Sequence, residues 1–135
     1  MLAVKPVLDP AVAEELCKLC EVPYKADSYT YFAADVNEDA TKINFIIGVC
    51  TCRMKGSVNE LEALKSAPGV DDEEALIIMA RTVMNFMYRC EVKRVTMDPA
   101  YTDADLTKKL GFTPVGDELV LDLVAFYKAP CKFGH

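Results

Sequence analysis

One stretch, residues 68–98, constrains the fold more than any other part of the chain. It begins with a Pro-Gly turn, continues with the acidic cluster Asp-Asp-Glu-Glu and a long apolar periodicity, and closes with a short alternating segment. Apolar side chains recur there at three- and four-residue steps, as on one face of a helix: Leu76, Met79, Ala80, Val83, Met84, Met87 and Cys90. The pattern predicts a helix over residues 71–90 that packs across a sheet, followed directly by a strand over residues 92–97.

The segments before this stretch predict a strand, a helix and three further strands. Residues 2–7 alternate weakly in polarity, and Asp9-Pro10 is a helix start because Asp is a favoured cap and Pro suits the first helical position. That helix is expected to run to about Glu21 and to end before Pro23. Its buried set is expected to be Val12, Leu16, Leu19 and Cys20. The three further strands are predicted from β-favouring or alternating residues, at residues 28–36, 43–54 and 58–66.

After the long helix and its strand, the chain predicts one more helix and one more strand. The helix closes at Leu110, because Gly111 is a favoured C-terminal stop. A turn over residues 114–117, a strand over residues 119–128 and a loose tail over residues 129–135 follow. The order is β-α-β-β-β-α-β-α-β, which is an α/β fold with a mixed sheet of six or seven strands and helices on its faces. We expect a single domain over residues 1–135.

Charge and apolar runs exclude several classes of function. The chain carries a formal net charge of −6 and has a pI near 4.8. Because a nucleic-acid-binding surface needs clustered Lys and Arg, we expect no nucleic-acid partner. We find neither a signal peptide nor an apolar run long enough to span a membrane. Six cysteines without an export signal favour reduced thiols and a cytoplasmic location.

The element order and three local patterns resemble the GNAT superfamily of acyl-CoA-dependent N-acetyltransferases. The fourth strand leads to Pro68, three residues before the position of that family's pyrophosphate-binding loop. The long helix leads into a strand with almost the family's spacing. The next helix ends in Leu110-Gly111-Phe112, where the family typically has Leu-Gly-Phe. The resemblance covers nearly the whole chain and implies the GNAT fold.

The residues at the family's cofactor positions depart from the family pattern. The resemblance implies a loop of the form [RQ]-x-x-G-x-[GA], whose glycines let backbone N–H groups at a helix start hold the CoA pyrophosphate. Here the Arg or Gln position is Asp71, the first Gly position is Glu74, and the small residue is Leu76. The family's frequent general-acid Tyr falls on Thr107, and its Asn falls near Ala100. We therefore interpret the chain as a degenerate member and expect no cofactor.

The acidic cluster at residues 71–74 has two interpretations. It could hold a cation, or a cofactor assisted by Mg²⁺. Alternatively, Asp71 caps the helix, Glu74 completes a capping box, and Asp72 and Glu73 interact favourably with the helix dipole. We favour the structural interpretation, because no cation-binding loop motif is present.

Glu60 and Glu62 on the fourth strand are the candidate catalytic residues. The resemblance implies that a carboxylate on this strand deprotonates the acceptor amine, often through water. A partly buried glutamate can act as such a base. The alternative, which we favour, is an exposed strand face, because glutamate is usually exposed.

Cysteine and histidine side chains predict no metal or nucleophile. Cys17 and Cys20 form a C-x-x-C, and Cys50 and Cys52 form a C-x-C, so four thiols could bind zinc. Cys17 and Cys20 lie late in a predicted helix, however, and free cysteine is commonly a small buried hydrophobe. We therefore expect free thiols and no metal. His135 is the last residue, so we do not expect it to be catalytic.

Two functions remain open from the sequence. The first is a non-catalytic binding, regulatory or assembly module with a decayed CoA site. The second is an N-acyltransferase that uses acetyl-CoA through a rearranged loop, with Glu60 or Glu62 as base. We favour the first because of residues 71–76. Its partner would be an unidentified small molecule or protein, and a homodimer is compatible with the sequence, whereas a nucleic acid or a membrane is not expected.

Overall fold

The computed structural model describes residues 1–128, in which one seven-stranded sheet carries helices on both faces. The elements are β1 (Leu2–Val7), α1 (Pro10–Leu19), β2 (Tyr29–Val36), β3 (Ile43–Lys55), β4 (Val58–Ser66), α2 (Glu73–Arg89), β5 (Arg94–Met97), a 3₁₀ turn (Pro99–Tyr101), α3 (Ala104–Lys109), β6 (Thr113–Val115), β7 (Glu118–Asp122) and α4 (Leu123–Lys128). The predicted mixed α/β fold is confirmed.

The sheet has the order β1-β2-β3-β4-β5-β7-β6 and is antiparallel except between β4 and β5. The parallel pair is short, because only Glu60 with Thr96 and Leu61 with Met97 are in register. Beyond them a single bridge joins Leu64 to Thr102. The two central strands therefore separate towards the end of β4, and this separation decides where a cleft can form.

Helix α2 lies across one face of the sheet, as its periodicity predicts. Leu76, Ala80, Val83 and Met87 are all buried. They join side chains of the central strands, including Leu61 and Leu64, in the larger apolar cluster. The second cluster lies on the opposite face, beneath α1. Because adjacent strand residues point to opposite faces, the sheet core is apolar on both sides, as in other sheets with helices on both faces.

Helix α1 is shorter than predicted and buries a different set of residues. Its buried side chains are Ala13, Leu16 and Cys17, with Cys20 also buried at its C-terminal cap. Val12 and Leu19 are each 44% exposed, so their predicted burial is wrong. The helix ends at Leu19 because Glu21 takes a positive φ of 59°, which stops helical hydrogen bonding before the proline at residue 23.

The single strand predicted over residues 119–128 is wrong. The chain forms the hairpin β6–β7, which is closed by Gly116 at a φ of 62°, and then turns into helix α4. The predicted turn over residues 114–117 is correspondingly reduced to Gly116-Asp117. Asp122 Oδ1 accepts a hydrogen bond from the Ala125 N–H at 3.0 Å, which satisfies a free amide at the helix start. The pattern of polar and apolar residues did not reveal that this segment changes from a strand to a helix.

Two further expectations concern the C-terminal tail and the absence of a membrane-spanning helix. The predicted loose tail, residues 129–135, and the histidine at its end lie outside the described residues. Across residues 1–128, no helix has both the length and the apolar character needed to cross a membrane.

Candidate functional site

A cleft of about 370 Å³ opens where β4 and β5 separate. The end of β4 forms one side, the start of α2 a second, and the segment from the 3₁₀ turn into α3 the third. The apolar floor comes from Leu64, Leu76 and Leu106. Because parallel strands present their carboxyl ends at one edge, this is where α/β folds commonly bind ligands.

Carboxylates dominate the rim of this cleft. Asp71, Asp72 and Glu73 lie at the start of α2, and Asp103 lies at the start of α3, whereas Lys65 is the only basic side chain in the lining among the described residues. Lys109 of α3 forms an ion pair with Glu73, but both side chains are exposed. The helix start that could attract an anion is therefore surrounded by negative charge.

The cap of α2 differs from the prediction. Asp72, not Asp71, is the N-cap residue, and its Oδ1 accepts a hydrogen bond from the Ala75 N–H at 3.1 Å. Glu74 completes no capping box, because residue 75 takes the position three after the cap. Asp71 and Leu76 line the cleft, while Glu74 is exposed outside it. Only two of the three predicted cofactor positions therefore face this space.

The other two positions of the resemblance are separated by the structure. Thr107 is buried, and its hydroxyl donates a hydrogen bond to the Asp103 carbonyl at 3.0 Å, so it does not reach the cleft. Ala100 lines the cleft from the 3₁₀ turn. Thr102, which the sequence did not mark as a site residue, also lines it. Its Oγ1 is buried and has no hydrogen-bond partner among the described residues.

Glu62 does not lie on an exposed strand face, so the favoured interpretation of this strand is wrong for Glu62. The β3–β4 register shifts between Thr51, which pairs with Ala63, and Cys52, which pairs with Leu61. Glu62 is the extra residue of this β-bulge, and a bulge redirects side chains. Its side chain is 7% exposed and accepts hydrogen bonds from Lys25 Nζ at 2.8 Å and from the Ser28 hydroxyl.

Glu60 is half-buried on the same strand. Burial raises the pKa of its carboxyl, the negative charges of Asp98 and Glu62 raise this pKa further, and the cationic Lys25 and Arg53 oppose the shift. Arg53 lies directly opposite Glu60 in the β3–β4 ladder. The structure thus brings Glu60 and Glu62 into one charged cluster, apart from the cleft lining.

Lys25 and Ser28 could not be found from the sequence. They lie in the connection between α1 and β2, where no periodicity or motif marks a contact with a strand 34–37 residues later. The only local signal is that a glutamate in an otherwise apolar strand needs a partner if it is buried.

The raised pKa of Glu60 predicts a pH-dependent effect of Glu60→Gln. Because the folded-state pKa is above the unfolded value, the stability contributed by Glu60 is greatest below the unfolded pKa and is lost as the pH rises through the folded pKa. The glutamine variant should therefore have a higher melting temperature than the wild type at pH 7. This advantage should vanish below about pH 4, the usual range of a glutamate.

Differential scanning fluorimetry between pH 4 and pH 8 checks this expectation. Glu14→Gln, at an exposed position of α1, is the matched control and should show no such pH trend. A lower melting temperature for Glu60→Gln at pH 7 would contradict the inferred pKa shift.

The described cysteines are free and, apart from Cys90, buried. Burial raises the pKa of Cys20 to about 11 and that of Cys52 to about 12. A thiol with so high a pKa is a poor nucleophile at neutral pH, because the thiolate is the reactive form. Within residues 1–128, no three Cys, His, Asp or Glu side chains converge as a metal site requires.

The architecture is similar to those of several solved acetyltransferases. A protein from Exiguobacterium sp. 255-15, assigned as an acetyltransferase, superposes with a TM-score of 0.63 at 11% identity, over 94% of this chain and 97% of its own. The ribosomal-protein-S18-alanine N-acetyltransferase of Escherichia coli gives 0.63 at 10% identity, over 91% and 94%. A protein from Desulfovibrio desulfuricans assigned to the GNAT family of acetyltransferases gives 0.62 at 10% identity, over 91% and 99%. This chain has the GNAT fold.

No model of a protein family and no curated protein matches the chain by sequence. The likeness at 10–11% identity therefore concerns the fold. Within the GNAT fold, the resemblance described above puts the cofactor loop at the start of the helix after the fourth strand. In this chain that helix is α2, and its start borders the acidic cleft.

Proposed function

We propose that this GNAT-fold chain is a non-catalytic binding module, regulatory or assembling in role, that does not take acyl-CoA. The observation that carries the proposal is the rim of the cleft at the start of α2. Asp71, Asp72 and Glu73 line that rim, in the part of the chain to which the resemblance assigns the family's pyrophosphate loop, and the Asp72 side chain already accepts a hydrogen bond from the Ala75 N–H at the helix start. The free thiols of the described residues also favour a reducing compartment, and we propose the cytoplasm.

Repulsion makes phosphate binding at this rim unfavourable. Two unit charges about 8 Å apart repel by roughly 2 kcal/mol at an effective dielectric constant near 20. Several carboxylate–phosphate pairs act together here, although salt reduces the sum. A micromolar ligand has only about 8 kcal/mol of binding free energy, so losing half of it leaves millimolar binding.

The lining favours a different ligand chemistry. An apolar floor with a carboxylate rim suits a neutral or cationic small molecule, or a basic side chain of a protein partner. The floor residues Leu64 and Leu76 belong to the main apolar cluster, so the base of the cleft is rigidly packed.

Isothermal titration calorimetry with acetyl-CoA at low salt tests the proposal. We expect no dissociation constant below about 100 μM, from the same free-energy arithmetic. The double variant Asp71→Asn/Glu73→Gln removes two rim charges and keeps the Asp72 cap, so it should bind acetyl-CoA more tightly than the wild type. Glu74→Gln, one residue along but outside the cleft, is the matched control and should tighten binding by less than the double variant.

A micromolar dissociation constant for the wild type would overturn the proposal. It would mean that the helix start holds phosphates despite the carboxylates, and the second candidate function would then take precedence.

The second candidate is acetyl-CoA-dependent acyl transfer to an amine, and the state of Glu60 favours it. A half-buried carboxylate whose pKa is raised by burial and by Asp98 is closer to the pKa of an efficient general base. Acetyl transfer to a panel of amines that is lost in Glu60→Gln, while the variant keeps its fold, would support this function.

A further inference from the structure

The last residue of β4 leaves main-chain hydrogen-bonding groups free at the cleft. Ser66 ends the strand and lines the cleft. The Ala67 N–H donates to the Ile47 carbonyl of β3 at 2.8 Å. Because successive residues of a strand direct their peptide groups to opposite edges, the N–H and C=O of Ser66 point away from β3. Pairing with the β5 side has ended at the Leu64 bridge, so within residues 1–128 no backbone group meets Ser66 on that edge.

A hydroxyl group on another wall of the cleft also lacks a partner. Thr102 follows the 3₁₀ turn and lines the cleft. Its Oγ1 is buried and makes no hydrogen bond to any described residue. A buried hydroxyl without a partner is unfavourable, and its oxygen can accept a hydrogen bond from a donor that enters the cleft. This wall therefore favours a ligand that ends in N–H or O–H donors.

The charge and lining of the cleft favour a long side chain with an apolar stem and a cationic head. Three leucines form the floor, and the rim carries four carboxylates, at the starts of α2 and α3, against the single ammonium of Lys65 in the described lining. The methylenes of an arginine pack on apolar surface. Its planar guanidinium has five N–H donors, enough for carboxylates on two walls and for the hydroxyl together, whereas a lysine ammonium has three and is more strongly hydrated.

We propose that the cleft at the start of α2 binds an extended, arginine-containing segment of a protein partner. The main chain of the segment pairs with Ser66, and its guanidinium binds the carboxylates of the rim and the Thr102 hydroxyl. In this mode of recognition, main-chain hydrogen bonds to a free strand edge give affinity, and a side-chain pocket gives specificity. The inference rests on the proposed function, because a bound coenzyme would take the same space. It needs no amino group in the partner, and Glu60 and Glu62 are not part of this lining.

The probe is the blocked peptide acetyl-Ala-Leu-Arg-Leu-Ala-amide, which has no amino group that an acetyltransferase could modify. Its titration into the isotopically labelled protein, at about 0.15 M NaCl, is followed by heteronuclear NMR of the backbone amides. We expect a dissociation constant below about 1 mM, with the largest shifts at Ser66, Thr102 and the first turn of α2. The same peptide with citrulline, which has the shape of arginine but no charge, should bind at least about tenfold more weakly, because charge-assisted hydrogen bonds are lost.

Two variants test the walls of the cleft separately. Asp71→Asn/Asp103→Asn removes one rim charge at each helix start and should weaken binding by about tenfold or more, while asparagine still caps α3 at residue 103. Thr102→Val keeps the side-chain shape without the hydroxyl and should weaken binding by about threefold or more. Glu14→Gln/Glu15→Gln is the matched control. It makes the same change of charge at exposed positions of α1, across the sheet, so the dissociation constant should stay within about twofold.

The proposal is overturned if the arginine peptide does not bind, if the citrulline peptide matches it, if the largest shifts lie outside the cleft, or if the rim variant behaves like the control. It is also overturned if acetyl-arginine-amide binds as tightly as the pentapeptide, because the site would then take a small guanidinium compound and not a protein segment. Acetyl-CoA binding decides the proposed function separately. A protein that binds neither acetyl-CoA nor the arginine peptide therefore contradicts this inference alone.

Discussion

Replacing Leu76 with alanine should lower the free energy of unfolding by about 2–5 kcal/mol. Leu76 is 5% exposed, although it forms part of the floor of the cleft. It belongs to the main apolar cluster and lies on the buried face of α2. Truncation removes its buried methyl groups and leaves a cavity between the helix start and the sheet, which the packed surroundings cannot fully collapse.

Urea unfolding followed by circular dichroism measures this loss. Ile78→Ala is the matched control, because Ile78 lies two residues along the same helix and is 40% exposed. Its replacement should cost less than about 1 kcal/mol. Equal losses in the two variants would mean that Leu76 faces the open cleft and carries little packing.

Replacing Gly48 with alanine should also cost about 3 kcal/mol, at the upper end of overpacking effects. A Cβ at this position would lie 2.5 Å from the carbonyl oxygen of Lys65 and 2.9 Å from Cδ2 of Leu76. The first of these atoms is backbone in the neighbouring strand, where it cannot move without disturbing the β3–β4 ladder. Glycine is required here because helix and strands approach one another closely.

The control for Gly48→Ala is Gly56→Ala. Gly56 has a φ of 62° and nothing within 4 Å of its added Cβ, so it tests backbone strain without a collision. That strain should cost about 1–2 kcal/mol. The difference between the two variants then isolates the collision. A loss at Gly48 no larger than at Gly56 would contradict the close packing of β3, β4 and α2.

The Leu76 and Gly48 predictions are coupled through the cleft. Leu76 is one of the two groups that a Cβ at Gly48 would meet, so the double variant Gly48→Ala/Leu76→Ala should lose less stability than the two single variants together. The same packing positions the acidic rim, because the residues before Leu76 form the start of α2. The packing of Leu76 therefore contributes to the stability of the fold and also positions the carboxylates at the rim of the cleft.

The correct predictions came from long, regular features of the sequence. The periodicity of α2 identified its buried face, and the Pro-Gly turn and acidic cluster bounded its start to within two residues. These signals are local, since each depends on residues within a turn or two of one another. The GNAT fold followed from their order, and the solved structures agree with it.

The site depended on contacts that are not local. Asp71 and Asp72 are equally good caps in composition, yet it is Asp72 that takes this role. The apolar run after residue 118 is compatible with a strand or with a helix. In the structure its first part pairs in the hairpin β6–β7, and its second part forms helix α4. In each case the residue types are compatible with both local structures, so composition alone could not choose between them.

By itself, the sequence determined the class of fold, the principal helix and its buried face, and the acidic character of the helix start, because periodicity and charge are properties of neighbouring residues. The tertiary structure alone decided that Glu62 is buried on a bulge with Lys25 and Ser28, and that Glu74 lies outside the cleft while Asp103 lies within it. A bulge is a register shift between two strands, and a cleft is a separation of two others. Both arise from pairings across many residues, where the burial of a whole face outweighs the preference of any single side chain.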